Sequence, residues 1–261
     1  MAIQTNSNLP VWLYWEGTLP DWINECQKTV FAHASNVKLL TPEIFNELRD
    51  IDLDINIDDL HVAHRADYIR AFLLTKFGGL WIDSDCLVLK SLQPIISLLN
   101  TYDFLGYRER SGEVTNNFMG AARNSILAAK YYQRVGDILR SGEKIEWLTL
   151  GSKALTTTLT ENNVPWCELN VEEIQPVCWS NPGAFFQKRN EVGHQLALNP
   201  LSYCYMLSAN MIRGYVSENQ YPNIQDDNTF FSYLLKVSES EKSSEANTDR
   251  VINPVSVSNL I

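Results

Sequence analysis

The sequence lacks the features that mark several common protein classes. It has five cysteines in 261 residues, at Cys26, Cys86, Cys167, Cys178 and Cys204. Their number is odd, their spacing is wide and no Cys-x-x-Cys pair occurs, so neither a disulfide framework nor a cysteine zinc site is indicated. Reduced thiols in a cytoplasm are the expectation. No apolar run approaches the length of a membrane span, and the N-terminal MAIQTNSNLP has neither the basic nor the apolar segment of a leader. A soluble chain without an integral membrane segment is therefore expected. Basic residues are in the minority: 21 Lys and Arg stand against 31 Asp and Glu, a formal net charge of -10. Such a field repels phosphate backbones, so nucleic acid is not an expected partner. An anionic substrate is compatible with it only where a metal ion or local Lys and Arg reverse the field inside one cleft.

What is present points to a globular enzyme. With 45% hydrophobic residues the chain can bury a sizeable core, as one α/β domain or two small ones. VWLYW, from Val11, reads as a buried strand that meets a turn at Glu16-Gly17. Pro20 to Ala34 reads as a helix and Val37 to Leu40 as a second strand. Thr41-Pro42-Glu43 has the form of an N-cap followed by proline at the first helical position. This βαβα beginning favours an α/β sandwich.

The run DIDLDINIDD, Asp50 to Asp59, alternates aspartates in a way that suggests a calcium loop. The EF-hand template requires Gly at its sixth position and Glu at its twelfth, where this chain has Ile55 and His61. A solvated acidic loop remains, with Asp58 or Asp59 available to cap the next helix. That helix is expected over Leu60 to Phe77, with apolar residues spaced at three and four and Gly78-Gly79 as its stop. Asp67 and Arg70 lie three apart on its other side, as neighbours on one face. Two readings stand: a surface ion pair of little energetic weight, or a functional pair.

After the glycines, LWID reads as a short buried strand with Asp83 near its C-terminal end and Asp85 in the turn beyond. In open α/β sheets ligands sit at that end. Further on, Leu92 to Leu99, Ser125 to Leu139 and Ala154 to Leu159 read as helices and Tyr102 to Tyr107 as a strand. Residues 237–250 are polar without periodicity and are expected to form a flexible loop or tail.

Carboxylates two residues apart at a strand end can share a hard divalent cation, because oxygen ligands suit Mg2+ and Mn2+. A diphosphate is the natural cargo of such a cation. A bare Asp-x-Asp is nonetheless a common chance pattern in an acidic chain, and needs its context.

That context is supplied by DYIRAFLLTKFGGLWIDSD, the nineteen residues from Asp67 to Asp85. The string resembles the D-x-x-R, G-G, D-x-D block of retaining GT-A glycosyltransferases, in the DxD sugar-binding family of capsular polysaccharide synthesis proteins and α-mannosyl- or galactosyltransferases. More distantly it is similar to the glucosylating toxin domains. The resemblance implies a GT-A-type α/β fold, a mixed and mostly parallel sheet flanked by helices, in a single Rossmann-like nucleotide-sugar-binding domain over residues 1–261. It implies that Asp67 and Arg70 contact the nucleotide-sugar, that Asp83 and Asp85 contact hydroxyls and the metal, and that Mn2+ or Mg2+ is the cofactor. The donor implied is a UDP- or GDP-sugar, and the acceptor a glycan or another hydroxyl compound.

Three further segments resemble the family more loosely. Trp15 stands where a base-stacking residue is expected, beside the alternative of a core tryptophan. Asn116 and Asn117 resemble an asparagine-bearing segment beside the transferred sugar, or else a polar turn. YMLSANM, Tyr205 to Met211, is similar to the segment that closes the metal shell. Many relatives carry a histidine there; this chain offers Ser208 or Asn210. Asp226 and Asp227 are further contributors near donor or acceptor. Asp83, Asp85 and Arg70 are the candidate catalytic residues, and no dedicated nucleophile is visible. Two rivals remain: a haloacid-dehalogenase-like phosphatase with Asp83 as nucleophile, and a catalytically silent nucleotide-sugar-binding protein.

Overall fold

The computed structural model describes residues 8–49, 55–188, 197–216 and 228–245. The apolar run at the start forms β1 (Val11–Tyr14), followed by α1 (Asp21–His33), β2 (Val37–Leu40) and α2 (Pro42–Leu48). The long amphipathic helix is α3 (Val62–Phe77), and β3 (Gly79–Ile82) leaves it directly. Gly78 and Gly79 have φ of 68° and 109°, conformations that L side chains rarely adopt. A Cβ at Gly79 would also stand 2.3 Å from the Pro10 carbonyl oxygen. The pair thus both ends the helix and lets β3 lie against the start of β1.

Strand β4 (Cys86–Val88), helix α4 (Gln93–Ser97), strands β5 (Phe104–Arg108) and β6 (Val114–Ala121), and helix α5 (Ile126–Ser141) follow. A π-helical segment, Thr149–Lys153, runs into α6 (Ala154–Glu161). The chain continues through β7 (Trp166–Leu169), α7 (Val171–Ile174), β8 (Cys204–Met206), α8 (Ala209–Val216) and α9 (Phe230–Glu245).

The main sheet has the order β2-β1-β3-β6-β5-β7. β1 pairs in parallel with β2 and β3, β5 pairs in parallel with β7, and β6 runs antiparallel to both β3 and β5. Five strands therefore point one way and β6 alone opposes them, which gives the mixed, mostly parallel GT-A-type sheet. Strand residues alternate between its faces as the pleat requires. Trp12, Tyr14 and Trp81 enter a core with residues of α3, α5 and α6, while Val11, Leu13, Leu80 and Ile82 pack on the other face with residues of α1 and α4. β4 and β8 form a separate antiparallel pair beyond the ends of the sheet, and a third apolar cluster joins them to α8 and α9.

Several expectations are revised. α3 is capped by His61, whose Nδ1 accepts from the Ala63 amide at 3.2 Å, rather than by Asp58 or Asp59. Arg65 folds back to donate to the Ile57, Asp58 and Leu60 carbonyls, fixing the approach to the helix from the other side. Asn116 and Asn117 lie within β6 and not in a turn. Val237 to Glu245 are helical, because Phe230, Phe231 and Leu234 anchor the first turns of α9 in the core and the helix carries the polar residues onward. Asp226 and Asp227, most of the acidic run at 50–54 and residues 246–250 lie outside the described residues.

Candidate active site

The parallel strands deliver their C-terminal ends to one edge. β1 leads into Trp15, β2 into Thr41 and β3 into Asp83, and the reversed β6 brings its first half to the same edge. The Asp83 amide donates to the Asn117 carbonyl at 2.8 Å, which places β6 beside the aspartates.

Helix α3 meets this edge through Arg70. Its Nη1 donates to the Asn116 carbonyl at 2.7 Å, its Nε donates to the Ala66 carbonyl at 3.1 Å, and its Nη2 lies 3.2 Å from Asp83 Oδ1 and 3.6 Å from Asp67 Oδ1. The guanidinium carbon sits 4.9 Å from the centre of the Trp81 ring. Arg70 and Asp67 are 5% and 7% exposed, which removes the reading of a surface ion pair: charges this deep require partners. Asp67 Oδ1 accepts from Asn116 Nδ2 at 2.7 Å, and Asp83 Oδ1 accepts from Trp81 Nε1 at 2.7 Å. The arginine therefore joins helix, central strand and reversed strand into one unit.

Burial pushes the Asp67 and Asp83 carboxyls above the usual carboxylate range, with Arg70 opposing the shift in each. For Arg70 itself, burial works to lower the pKa and is outweighed by the charges of Asp83 and Asp67, so it stays a cation.

Asp85 lies one turn beyond. Its carbonyl accepts from the Leu207 amide at 3.0 Å, and its Oδ2 accepts from the Ala209 amide, the first of α8, at 2.6 Å. Ser208, between those two donors, is held with φ of 63°, a left-handed conformation costing about 1 kcal/mol or more for a non-glycine residue. Ser208 is thereby fixed beside Asp85, and Asn210 is exposed on the first turn of α8. The Asp85 carboxyl is raised to about 6, first by burial and then by the charge of Asp83, against the Ala209 amide.

Among the described residues, no group of three or more His, Cys, Asp or Glu is placed to hold a metal. The donors nevertheless fit a hard divalent cation bound with its substrate. Mg2+ is usually held by one or two carboxylates, with phosphate and water oxygens completing the shell. Two crowded carboxylates whose negative charge is disfavoured gain most from such a cation. Asp85 is the principal candidate ligand, with Ser208 and Asn210 as neutral oxygen donors.

Between the aspartates, Ser84 donates to the Tyr14 carbonyl at 2.9 Å and accepts from Gln27 Nε2 at 3.1 Å. Gln27 is also on the wall of a cavity of about 350 Å³ lined by Trp15, Glu16, Gly17, Leu39 and Thr41, among others. Trp15 packs partly against the third core cluster, as a core tryptophan does, and also lines the cavity. Glu16, on the same wall, accepts from Tyr14 Oη at 2.6 Å and pairs with Arg65 of α3 at 2.7 Å.

Some members of the site were not apparent in the sequence. Tyr107 Oη donates to Asn117 Oδ1 at 2.9 Å, tying the end of β5 to β6. Gly151, inside the π-helical segment, leaves room for Asn116: a Cβ there would meet Nδ2 at 2.9 Å and Oδ1 at 3.0 Å. A glycine opening a helix is the only signal the sequence carries for it.

The mixed, mostly parallel six-stranded sheet flanked by helices is the fold of the GT-A class. The sequence model of the family described as "Capsular polysaccharide synthesis protein" matches residues 2–140, just over half of the chain, and the chain belongs to that family. A curated relative, the probable glycosyltransferase FCK3 of Fusarium pseudograminearum, is 25% identical over 154 residues. The match takes in 47% of this chain and 37% of that protein, so the chain spans well under half of the relative's length. Among solved structures, the glycosyltransferase GlyE of Streptococcus pneumoniae TIGR4 superposes with a TM-score of 0.52 at 16% identity, over 91% of this chain and 62% of that one. That likeness is one of fold.

Proposed function

We propose that this chain is a metal-dependent glycosyltransferase that moves a sugar from a nucleoside-diphosphate sugar to an acceptor hydroxyl, with retention, in polysaccharide or glycoconjugate synthesis. The observation that carries the reading is the buried Arg70, which holds Asp67, Asp83 and Asn116 together at the sheet edge. An arrangement that buries one cation among two carboxylates is costly, and its placement at the ligand-binding end of the strands gives it a use.

In this reading the cavity beside Trp15 receives the base, UDP or GDP, and the indole stacks on it. Asp83 accepts from hydroxyls of the ribose or sugar, through the carboxylate oxygen that Trp81 does not occupy. Asp67 and Asn116, locked to each other, contact the transferred sugar, and Asn117 lies beside them. Asp85, with Ser208 and Asn210, would hold Mn2+ or Mg2+. When bound, the cation supplies Lewis-acid stabilisation of the charge on the departing diphosphate. Arg70 fixes the carboxylates and adds its positive charge beside them.

The anomeric carbon-oxygen bond to phosphate breaks as the acceptor oxygen bonds to that carbon, and the acceptor proton passes to the leaving phosphate oxygen. This front-face route needs no enzyme nucleophile. The phosphatase alternative is disfavoured, because the buried Asp67 and Arg70 have no role in that scheme. The five cysteines are all unpaired, which supports a reducing, cytoplasmic setting. No helix among the described residues is long and apolar enough to cross a membrane.

The test is incubation with a panel of UDP- and GDP-sugars and Mn2+, following release of the nucleoside diphosphate. Metal-dependent release supports the transferase. Phosphate release from a monoester supports the phosphatase, and donor binding without turnover the silent module.

A further inference from the structure

His61, His64 and Trp147 form an aromatic cluster beside the donor residues that the donor reading leaves unused. The ring centres of His61 and His64 are 6.0 Å apart, and that of Trp147 lies 6.0 Å from His61 and 6.4 Å from His64. Trp147 is 54% exposed, so part of its indole is open to a ligand. The rings rest on a fixed base. The Thr149 amide donates to the Glu146 carbonyl at 3.0 Å, the Glu146 amide donates to Thr149 Oγ1 at 3.0 Å, and Tyr131 Oη donates to the Leu150 carbonyl at 2.9 Å.

Nε2 of His64 is buried and has no hydrogen-bond partner. Buried polar atoms are nearly always paired, so this ring edge has a hydrogen bond to give to a water or a ligand hydroxyl that the rings admit. His61 uses Nδ1 as the helix cap, which leaves Nε2 of that exposed ring as its other polar edge.

The cluster adjoins the place assigned to the transferred sugar by two separate paths. Along α3, His64 stands one turn before Asp67, close enough for its ring to act on that carboxyl. Along the chain, Trp147 leads into the π-helical segment whose Gly151 backs onto Asn116. Arg65, on the same turn of α3, is instead held to Glu16 on the wall of the base cavity. The first turns of α3 therefore separate the base cavity from the aromatic cluster.

We infer that Trp147, His61 and His64 form the acceptor subsite, and that its occupant is a carbohydrate ring whose C–H face lies on the indole while its hydroxyls meet the two imidazole edges. A flat apolar surface with a few polar groups at its rim is the chemistry a pyranose requires. This assignment rests on the transferase reading above.

The experiment has two arms, each run on the wild type, Trp147→Ala and Trp147→Phe. In the first, UDP and GDP are titrated with Mn2+ by calorimetry. In the second, the nucleotide that binds is held saturating, and methyl glucoside, methyl galactoside and methyl mannoside are titrated by NMR. The expected result is binding of at least one glycoside to the wild type, with a dissociation constant about ten-fold higher in Trp147→Ala, a loss of about 1.4 kcal/mol. Trp147→Phe should largely restore that affinity, and nucleotide affinity should be the same in all three proteins. Nucleotide binding with no glycoside bound, or with glycoside affinity unchanged in Trp147→Ala, overturns the subsite and leaves the transferase reading standing. A fall in nucleotide affinity in Trp147→Ala places the indole on the donor side and also overturns it. If neither nucleotide binds the wild type, the transferase reading fails and the subsite with it.

Discussion

Arg70 Nη2 lies 3.2 Å from Asp83 Oδ1, so a side chain from the middle of α3 meets the first residue beyond the central strand β3. The contact is the hinge of the site: it fixes how far the helix stands from the sheet edge, and with it the positions of Asp67 and Asn116.

Removing Arg70 should expose the cost of that arrangement. Arg70→Met leaves the buried Asp67 and the half-buried Asp83 without a cation, and breaking a buried pair from one side costs about 3–5 kcal/mol. Thermal unfolding should fall markedly and donor turnover should disappear. In the double variant Arg70→Met/Asp67→Asn, part of the stability should return because one uncompensated charge is gone, while turnover should not. Recovery of turnover with stability would reduce Arg70 to a structural tie.

The pH dependence of the metal-free protein has a defined sign. Asp85 has a folded pKa of about 6 against an ordinary value of 3.8, so between those limits the folded state binds more protons than the unfolded one. Its contribution to stability is greatest at low pH and is lost as pH rises through about 6. Thermal melts in EDTA, compared between the wild type and Asp85→Asn, should show the wild type losing relative stability over this window. Mn2+ with a nucleoside diphosphate should reverse the loss above it. A wild type that gains on the variant as pH rises would contradict the burial of this carboxyl.

Gly151→Ala tests positioning. The added methyl would press on the Asn116 amide from 2.9 Å and disturb the bond that Asn116 donates to Asp67. Turnover should drop about ten- to hundred-fold, as small misplacements of a binding group do, with only a modest change in melting temperature. In an Asn116→Ala background the same substitution should cost little more, since the two act through one contact. Full additivity would separate Gly151 from the site.

The part of this site that is legible in the sequence is the part where spacing carries geometry. Asp67 and Arg70 share a helix face at three residues apart, Gly78-Gly79 marks a stop, and Asp83 follows an apolar run that has the length of a strand. Elsewhere the cues mislead. Asn116 and Asn117 fit a polar turn as well as a segment beside the sugar, yet they lie in β6, whose apolar continuation, Phe118 and Met119, is buried. His61 caps α3, a place where Asp or Asn is the ordinary choice. Residues 237–245 look like a tail only when separated from Phe230 to Leu235, the apolar turns that anchor α9. Trp147 has no local signature, and Gly151 has only its place at the opening of a helix, because their roles arise from contact with residues distant in the chain.

The central claim is that Asp85 holds a divalent cation on which the donor diphosphate depends. Calorimetric titration of UDP and GDP into the wild type and Asp85→Asn, each with Mn2+ and with EDTA, addresses it most directly. The account predicts binding to the wild type that requires Mn2+ and is weakened at least about ten-fold in the variant, the loss of one charged ligand. Binding of equal strength in EDTA, or in Asp85→Asn with Mn2+, would contradict it.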